Sequence, residues 1–193
     1  MPCRTDVIVE SMHNERRTRF EGVIAEVGEP LRRFLVRRTD METAQDVLAE
    51  SFLVIWRRLE DVPGDAVLPW CYAVARNCLA NEQRSARRQR GLVARIALMS
   101  PPPLVDQTPD LPDPELHQAL GALRTQDREL ITLWAWEDLR PTEIAAVLGI
   151  TANAVNIRLH RARGRLAELL AESEGGKSRR SAGQERVKER RTP

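Results

Sequence analysis

The chain has 193 residues, 42% of them hydrophobic and 30% charged, with a formal net charge of only +2. That balance suits one ordinary soluble domain or two small ones and excludes collagenous and disulfide-scaffold classes. Aromatic residues make up only 4%, so helix is favoured over sheet.

The N-terminal stretch "MPCRTDVIVESMHNERR" acquires charge at once and has no continuous apolar run, so it does not read as a signal peptide. No window approaches the roughly 18 apolar residues that would cross a bilayer, and no membrane insertion is expected. The three cysteines, Cys3, Cys71 and Cys78, form no CxxC pair. Cys71 and Cys78 lie seven apart, share a helix face and read as small buried hydrophobes, with no metal site. These features predict a reduced, cytoplasmic protein without cofactors.

After an N-terminal extension (1–14), helical periodicity holds from 15 to 95. Within it, "METAQDVLAESFLVIWRRLEDV" puts Ala44, Val47, Leu48, Ser51, Phe52, Ile55 and Leu59 on one inward stripe. Asp46, Ala49, Glu50, Leu53 and Arg57 look outward, a face that could be merely solvated. "DVPGDAVLP" is a turn-rich loop. "WCYAVARNCLANEQRSARRQR" follows, with Trp70, Ala73, Val74, Asn77, Asn81 and Arg84 at helical spacing and a basic run through Arg84, Arg87, Arg88 and Arg90. Aromatic, amide and basic side chains in that order suit nucleic acid. Buried aromatics beneath a solvated basic helix fit Trp70 and Tyr72 equally well.

Residues 99–115, "MSPPPLVDQTPDLPDPE", hold six prolines, four acids and no base. Such a segment continues neither helix nor sheet, so an extended acidic linker is expected over 96–115. Helical pattern resumes over 116–172. The polar, basic tail 173–193 is expected to be disordered.

"RPTEIAAVLGITANAVNIRLHRARGRL" contains a short helix, a glycine at its C-terminus and a longer helix capped by Thr151, which is the helix-turn-helix pattern. At about 100° per residue, Val155, Leu159, Ala162 and Leu166 share a core-facing arc. Asn153, Ile157, His160, Arg161 and Gly164 lie opposite. Asn156 and Arg163 flank one side of that face, Arg158 and Arg165 the other. A helix lying in a major groove has this layout, with base readers at the centre and cations along both walls.

Taken in order, these stretches resemble bacterial RNA polymerase sigma factors of the extracytoplasmic-function type, over roughly 20–170. "AQDVLAESFLVIWRRL" looks like the polymerase-binding helix of region two, and "LPWCYAVARNCLANEQR" like the segment that melts and reads the −10 element. "LRTQDRELITLWAWEDLRPTEIAAVLGITANAVNIRLHRARGRL" resembles region four, which reads the −35 element. The resemblance implies an all-α fold of two small helical domains, region two (15–95) and region four (116–172), joined by the acidic linker. It also implies core polymerase, duplex promoter DNA, the melted −10 strand and an anti-sigma protein as partners.

By position, Asp46, Ala49, Glu50 and Leu53 are the implied polymerase contacts. Val62, Trp70, Tyr72, Arg76, Asn77, Asn81, Arg84, Arg87 and Arg88 are the implied −10 set, with residues 62–68 matching a loop that pockets an unstacked base. Thr151, Asn153, Asn156, Ile157, Arg158, His160, Arg161, Arg163 and Arg165 are the implied −35 set. The chain departs from the family at Ala49, where glutamine is usual, and at Val62 and Pro63, where an aromatic-basic pair is usual. Asn156 replaces a commonly basic residue, and Arg140 stands at a helix start where serine is preferred, with Thr142 or Asp138 expected to cap instead. No nucleophile–base pair or phosphate loop is present, so no enzyme activity is expected. A stand-alone helix-turn-helix regulator, its N-terminal domain binding a partner, is the competing reading. A nucleic-acid-processing role for the helix after Trp70 is a third.

Overall fold

The first helix, α1, spans Arg4–Val36 and sets Val27, Leu31, Phe34 and Leu35 at four- and three-residue intervals, all essentially buried. The computed structural model describes the backbone of residues 4–97 and 113–189 and the side chains of residues 13–89 and 113–172. The Asp40 carboxylate starts α2 (Met41–Arg57) by accepting the Thr43 N–H at 3.0 Å. This contact holds the Asp40 carboxyl below its ordinary range. The expected inward stripe of α2 is observed: Ala44, Val47, Ser51 and Ile55 are buried, and Leu48 and Phe52 pack at the margin. Ser51 Oγ donates to the Val47 carbonyl, which satisfies a hydroxyl with no access to water.

A short 3-10 turn (Leu59–Asp61) leads into the loop before α3 (Val67–Ala97). Helices α1, α2 and α3 all pack on one another, forming the N-terminal bundle. Cys71 and Cys78 are buried within it and unbridged, as the sequence predicts; burial pushes the Cys71 thiol up to about 12.

The C-terminal half comprises α4 (Pro114–Ala122), α5 (Thr125–Ala135), α6 (Pro141–Leu148) and α7 (Ala152–Glu189). Asp113 caps α4, accepting from Glu115 N–H at 2.9 Å, and proline occupies the first turn, where its missing donor costs nothing. Helices α4, α5 and α6 gather on α7, and α6 also packs against α3, so the buried side chains of both halves form one connected core. All described regular structure is helical.

The linker core, residues 98–112, lies outside the described residues. At the C-terminus, α7 runs on to Glu189, through residues expected to be disordered. Lys, Arg, Gln, Glu and Ala over 177–189 are good helix formers, and the Gly175–Gly176 pair opposes the helix by only about 1 kcal/mol per residue.

Candidate nucleic-acid and partner interfaces

The C-terminal site begins at the turn between α6 and α7. Gly149 ends α6 in the left-handed conformation, φ 67° and ψ 34°. Open space surrounds its Cα, so backbone conformation, and not crowding, favours glycine here. The Ile150 N–H reaches back to the Ala145 carbonyl at 3.1 Å, which closes the helix end. Thr151 then caps α7, its hydroxyl accepting the Ala154 N–H at 3.2 Å.

The start of α6 corrects the expected cap. Neither Thr142 nor Asp138 fills that role; Glu143 folds back and accepts the Arg140 N–H at 2.7 Å, with the Arg140 guanidinium on its other oxygen at 2.8 Å. This is the reciprocal half of a capping box, since arginine has no acceptor to offer. The Arg140 contacts hold the Glu143 carboxyl below its usual range.

With α7 anchored by Val155, Leu159 and Ala162, and with Leu166 at the margin, the opposite face is set toward solvent. Thr151, Asn153, Asn156, Ile157, Arg158, His160 and Arg161 are all exposed. Ile157 is 45% exposed at the centre of that polar face. An isoleucine there gains nothing from water but can pack against a thymine methyl. Arg163 and Arg165 are also exposed, yet each has a partner. Arg163 lies over the Trp134 ring, 4.6 Å from its centroid, and Arg165 pairs with Glu168 at 2.9 Å. Trp134 itself was not singled out in the sequence; α5 periodicity marks its buried side, Leu130, Ile131 and Leu133, and is silent about a tryptophan at the rim.

The N-terminal bundle carries two further faces. On α2, Asp46, Ala49, Glu50 and Leu53 are exposed within one arc, Leu53 at 55%. Like charges four residues apart oppose an isolated helix by about 0.2–0.5 kcal/mol, so stability alone does not account for Asp46 beside Glu50.

On α3, Asn77, Asn81, Arg84 and Arg88 share an exposed stripe, with Arg87 beside it. Asn81, Arg84, Arg87 and Arg88 line a shallow basic recess, and Arg84 is held by the Asn81 side-chain carbonyl. Trp70 lies half-buried at the head of the stripe, with Arg58 over its ring at 5.4 Å.

Three expected −10 residues sit elsewhere. Val62 is only 6% exposed and packs into the core, leaving Gly64 and Asp65 as the loop's exposed tip. Tyr72 is 2% exposed, its ring 5.0 Å from Phe34 and its hydroxyl 3.3 Å from the Glu137 carboxylate. Burial and that carboxylate both push the phenol pKa up, so it remains a donor. The helical wheel contains this signal, because Tyr72 falls about 140° from Asn77, among the core positions. Arg76 spans to Glu129 on α5, with Nη2 to Oε2 at 3.1 Å.

Comparison with known proteins finds relatives of most of the chain and a family model for its C-terminal half. Residues 114–166 match the family model described as Sigma-70, region 4. The chain is 32% identical over 161 residues to the RNA polymerase sigma factor CarQ of Myxococcus xanthus, covering 80% of this chain and 91% of that one. It is 34% identical over 137 residues to the ECF RNA polymerase sigma factor SigL of Mycobacterium tuberculosis, covering 66% and 75%. Among solved structures, CnrH in complex with the cytosolic domain of CnrY is similar at 28% identity and a TM-score of 0.54, covering 79% of this chain and 88% of that one.

Proposed function

The chain belongs to the extracytoplasmic-function sigma factors of bacterial RNA polymerase, and from that premise we propose how its exposed faces divide promoter recognition. As a sigma factor it binds core polymerase and directs initiation at specific promoters. Its own −35 reader is α7: Asn153, Asn156, Ile157, His160 and Arg161 meet base edges, while Thr151, Arg158, Arg163 and Arg165 meet backbone phosphate. Arginine offers two parallel donors to guanine, and asparagine matches adenine in the same way, so Asn156 in place of a cation favours adenine at its position. The observation that carries this assignment is the exposed face of α7, with Ile157 at its centre, behind a complete glycine turn.

The −10 element falls to α3. Asn77 and Asn81 read the strand, Trp70 stacks at the head of the stripe, and Arg84, Arg87 and Arg88 neutralise phosphate. Extracting a base costs a few kcal/mol, least at easily melted steps, so capture of one base at the exposed tip of the loop ahead of α3, Gly64 and Asp65, selects and melts together without fuel. Asp46, Glu50 and Leu53, with Ala49 between them, form the polymerase contact. The protein does no covalent chemistry of its own and works in the cytoplasm, where polymerase and promoter are. CnrH is seen with the cytosolic domain of CnrY, and an anti-sigma protein is the corresponding partner here.

Adding the purified chain to core polymerase and genomic DNA, then mapping RNA 5′ ends, tests the reading. Starts should cluster downstream of one recurrent pair of elements. Random starts, or DNA binding without polymerase association, would return the chain to the stand-alone regulators.

A further inference from the structure

Glu137 sits in the connection between α5 and α6, where an exposed carboxylate would be ordinary. Its side chain is instead 3% exposed, and the groups that hold it come from the other half of the molecule. Arg38 Nη1 donates to Oε1 at 2.9 Å, and Arg37 Nη1 lies 3.4 Å from Oε2, which also accepts from Tyr72 at 3.3 Å. Arg38 also donates to the Phe34 carbonyl at 2.8 Å and the Thr132 hydroxyl at 3.2 Å. A charge buried this deeply is tolerable only with such partners. Alongside, Arg76 of α3 is bound to Glu129 of α5.

Three features mark this contact as separable. Beside the apolar α3–α6 packing, it is made through polar side chains around an open cavity of about 260 Å³, lined by Phe34, Arg37, Arg38, Arg76, Glu129 and Trp136 among others; permanent cores leave few such voids. It occupies two residues, Tyr72 and Arg76, that fall within the −10 segment. It also holds α6 of the −35 reader directly on α3, and packed helix axes lie only about 8–10 Å apart. The −35 and −10 elements are about 25 base pairs apart by their names, roughly 80 Å at about 3.4 Å per base pair. The closed chain therefore does not span both. The 15 residues between Ala97 and Asp113 reach about 50 Å when extended, enough tether for the halves to part.

We propose that Glu137, gripped by Arg37, Arg38 and Tyr72, is an autoinhibitory latch that holds the two halves closed and keeps Arg76 on Glu129, away from DNA. The inhibitory consequence rests on the sigma-factor reading; the latch itself does not. Opening releases Arg76 to phosphate and lets the two readers separate, so free protein binds promoter DNA poorly and the opened chain binds it well.

The test uses the full chain without polymerase. Glu137→Gln keeps the side-chain shape and removes the charge that three donors share. Small-angle scattering should show a larger radius of gyration than wild type. A fluorescent single strand of mixed sequence should bind about tenfold more tightly, the gain expected of one freed charge-assisted contact. The swap Arg38→Glu with Glu137→Arg should restore the closed dimensions. A folded Glu137→Gln protein with wild-type scattering and strand affinity overturns the latch. If that variant does not fold, as judged by circular dichroism, Glu129→Gln at the half-exposed edge frees Arg76 alone, and unchanged strand affinity there also overturns it. Start-site mapping with core polymerase stands apart: its failure in wild type, with Glu137→Gln still opening, sinks the sigma-factor reading and leaves the latch.

Discussion

Among single residues, Arg161 carries the sharpest expectation. It lies within about 40° of Ile157 on the α7 wheel, at the centre of the exposed face. Loss of one base-edge contact costs about 1–3 kcal/mol, and a lost phosphate contact lowers the salt slope by about one. Arg161→Ala should therefore weaken −35 duplex binding roughly 5- to 150-fold and relax base preference at one position. Arg165→Ala should weaken all sequences alike. Binding titrations against a panel of single-base duplex variants separate the two, and a uniform loss from Arg161→Ala would reassign it to phosphate. Position on a wheel was legible in the sequence, and the exposed set on α7 agrees with it. Pairing was not: Arg163 over Trp134, and Arg76 on Glu129, depend on residues 29 and 53 positions away.

Among elements, α2 does two jobs with two faces. Its buried stripe packs the bundle, and each fully buried Val or Ile contributes about 1.5–3 kcal/mol. Its outward face contributes little to folding, because Asp46 and Glu50 repel at helical spacing. Asp46→Arg with Glu50→Arg should thus abolish co-purification with core polymerase while the melting temperature stays within a few degrees of wild type; retained association would dismiss this interface. The cap of the same helix gives the converse case. Asp40 is held below its ordinary pKa by the Thr43 N–H, so its stabilisation is complete above the unfolded value, near 4, and disappears as pH falls through the folded one. Asp40→Ala should cost about 1 kcal/mol at neutral pH, and the gap from wild type should narrow progressively as pH falls below about 4. A constant gap across that range would mean the carboxylate's charge is irrelevant to the cap.

For the whole molecule, the buried set runs continuously from the α1–α3 bundle into α4–α7, through the α3–α6 contact and the Glu137 cluster. Wild type should accordingly unfold in a single calorimetric transition. Removing one partner of a buried ion pair leaves an uncompensated charge at a cost of about 3–5 kcal/mol, here placed between the halves and not inside either. Glu137→Gln should therefore resolve two transitions, one for each half, and a single unshifted transition would show that the cluster does not couple them.

The sequence by itself determined the all-helical class, the inward faces of α2 and α7, the glycine turn and the order of regions that identifies a sigma factor. These are local facts: periods of 3.6 residues, φ signs and caps are written within a few positions of one another. It also placed Tyr72 and Arg76 in the −10 segment, and nothing local said that a carboxylate 65 residues downstream, and another 53 residues downstream, would claim them. Only the tertiary structure decided that. Glu137 stands in a connection with no period to read, and a lone glutamate among 28 acidic residues becomes exceptional only when folding removes its water. Burial turns an ordinary charge into a contact that must be answered, and the answer comes from whichever arginines the fold brings near.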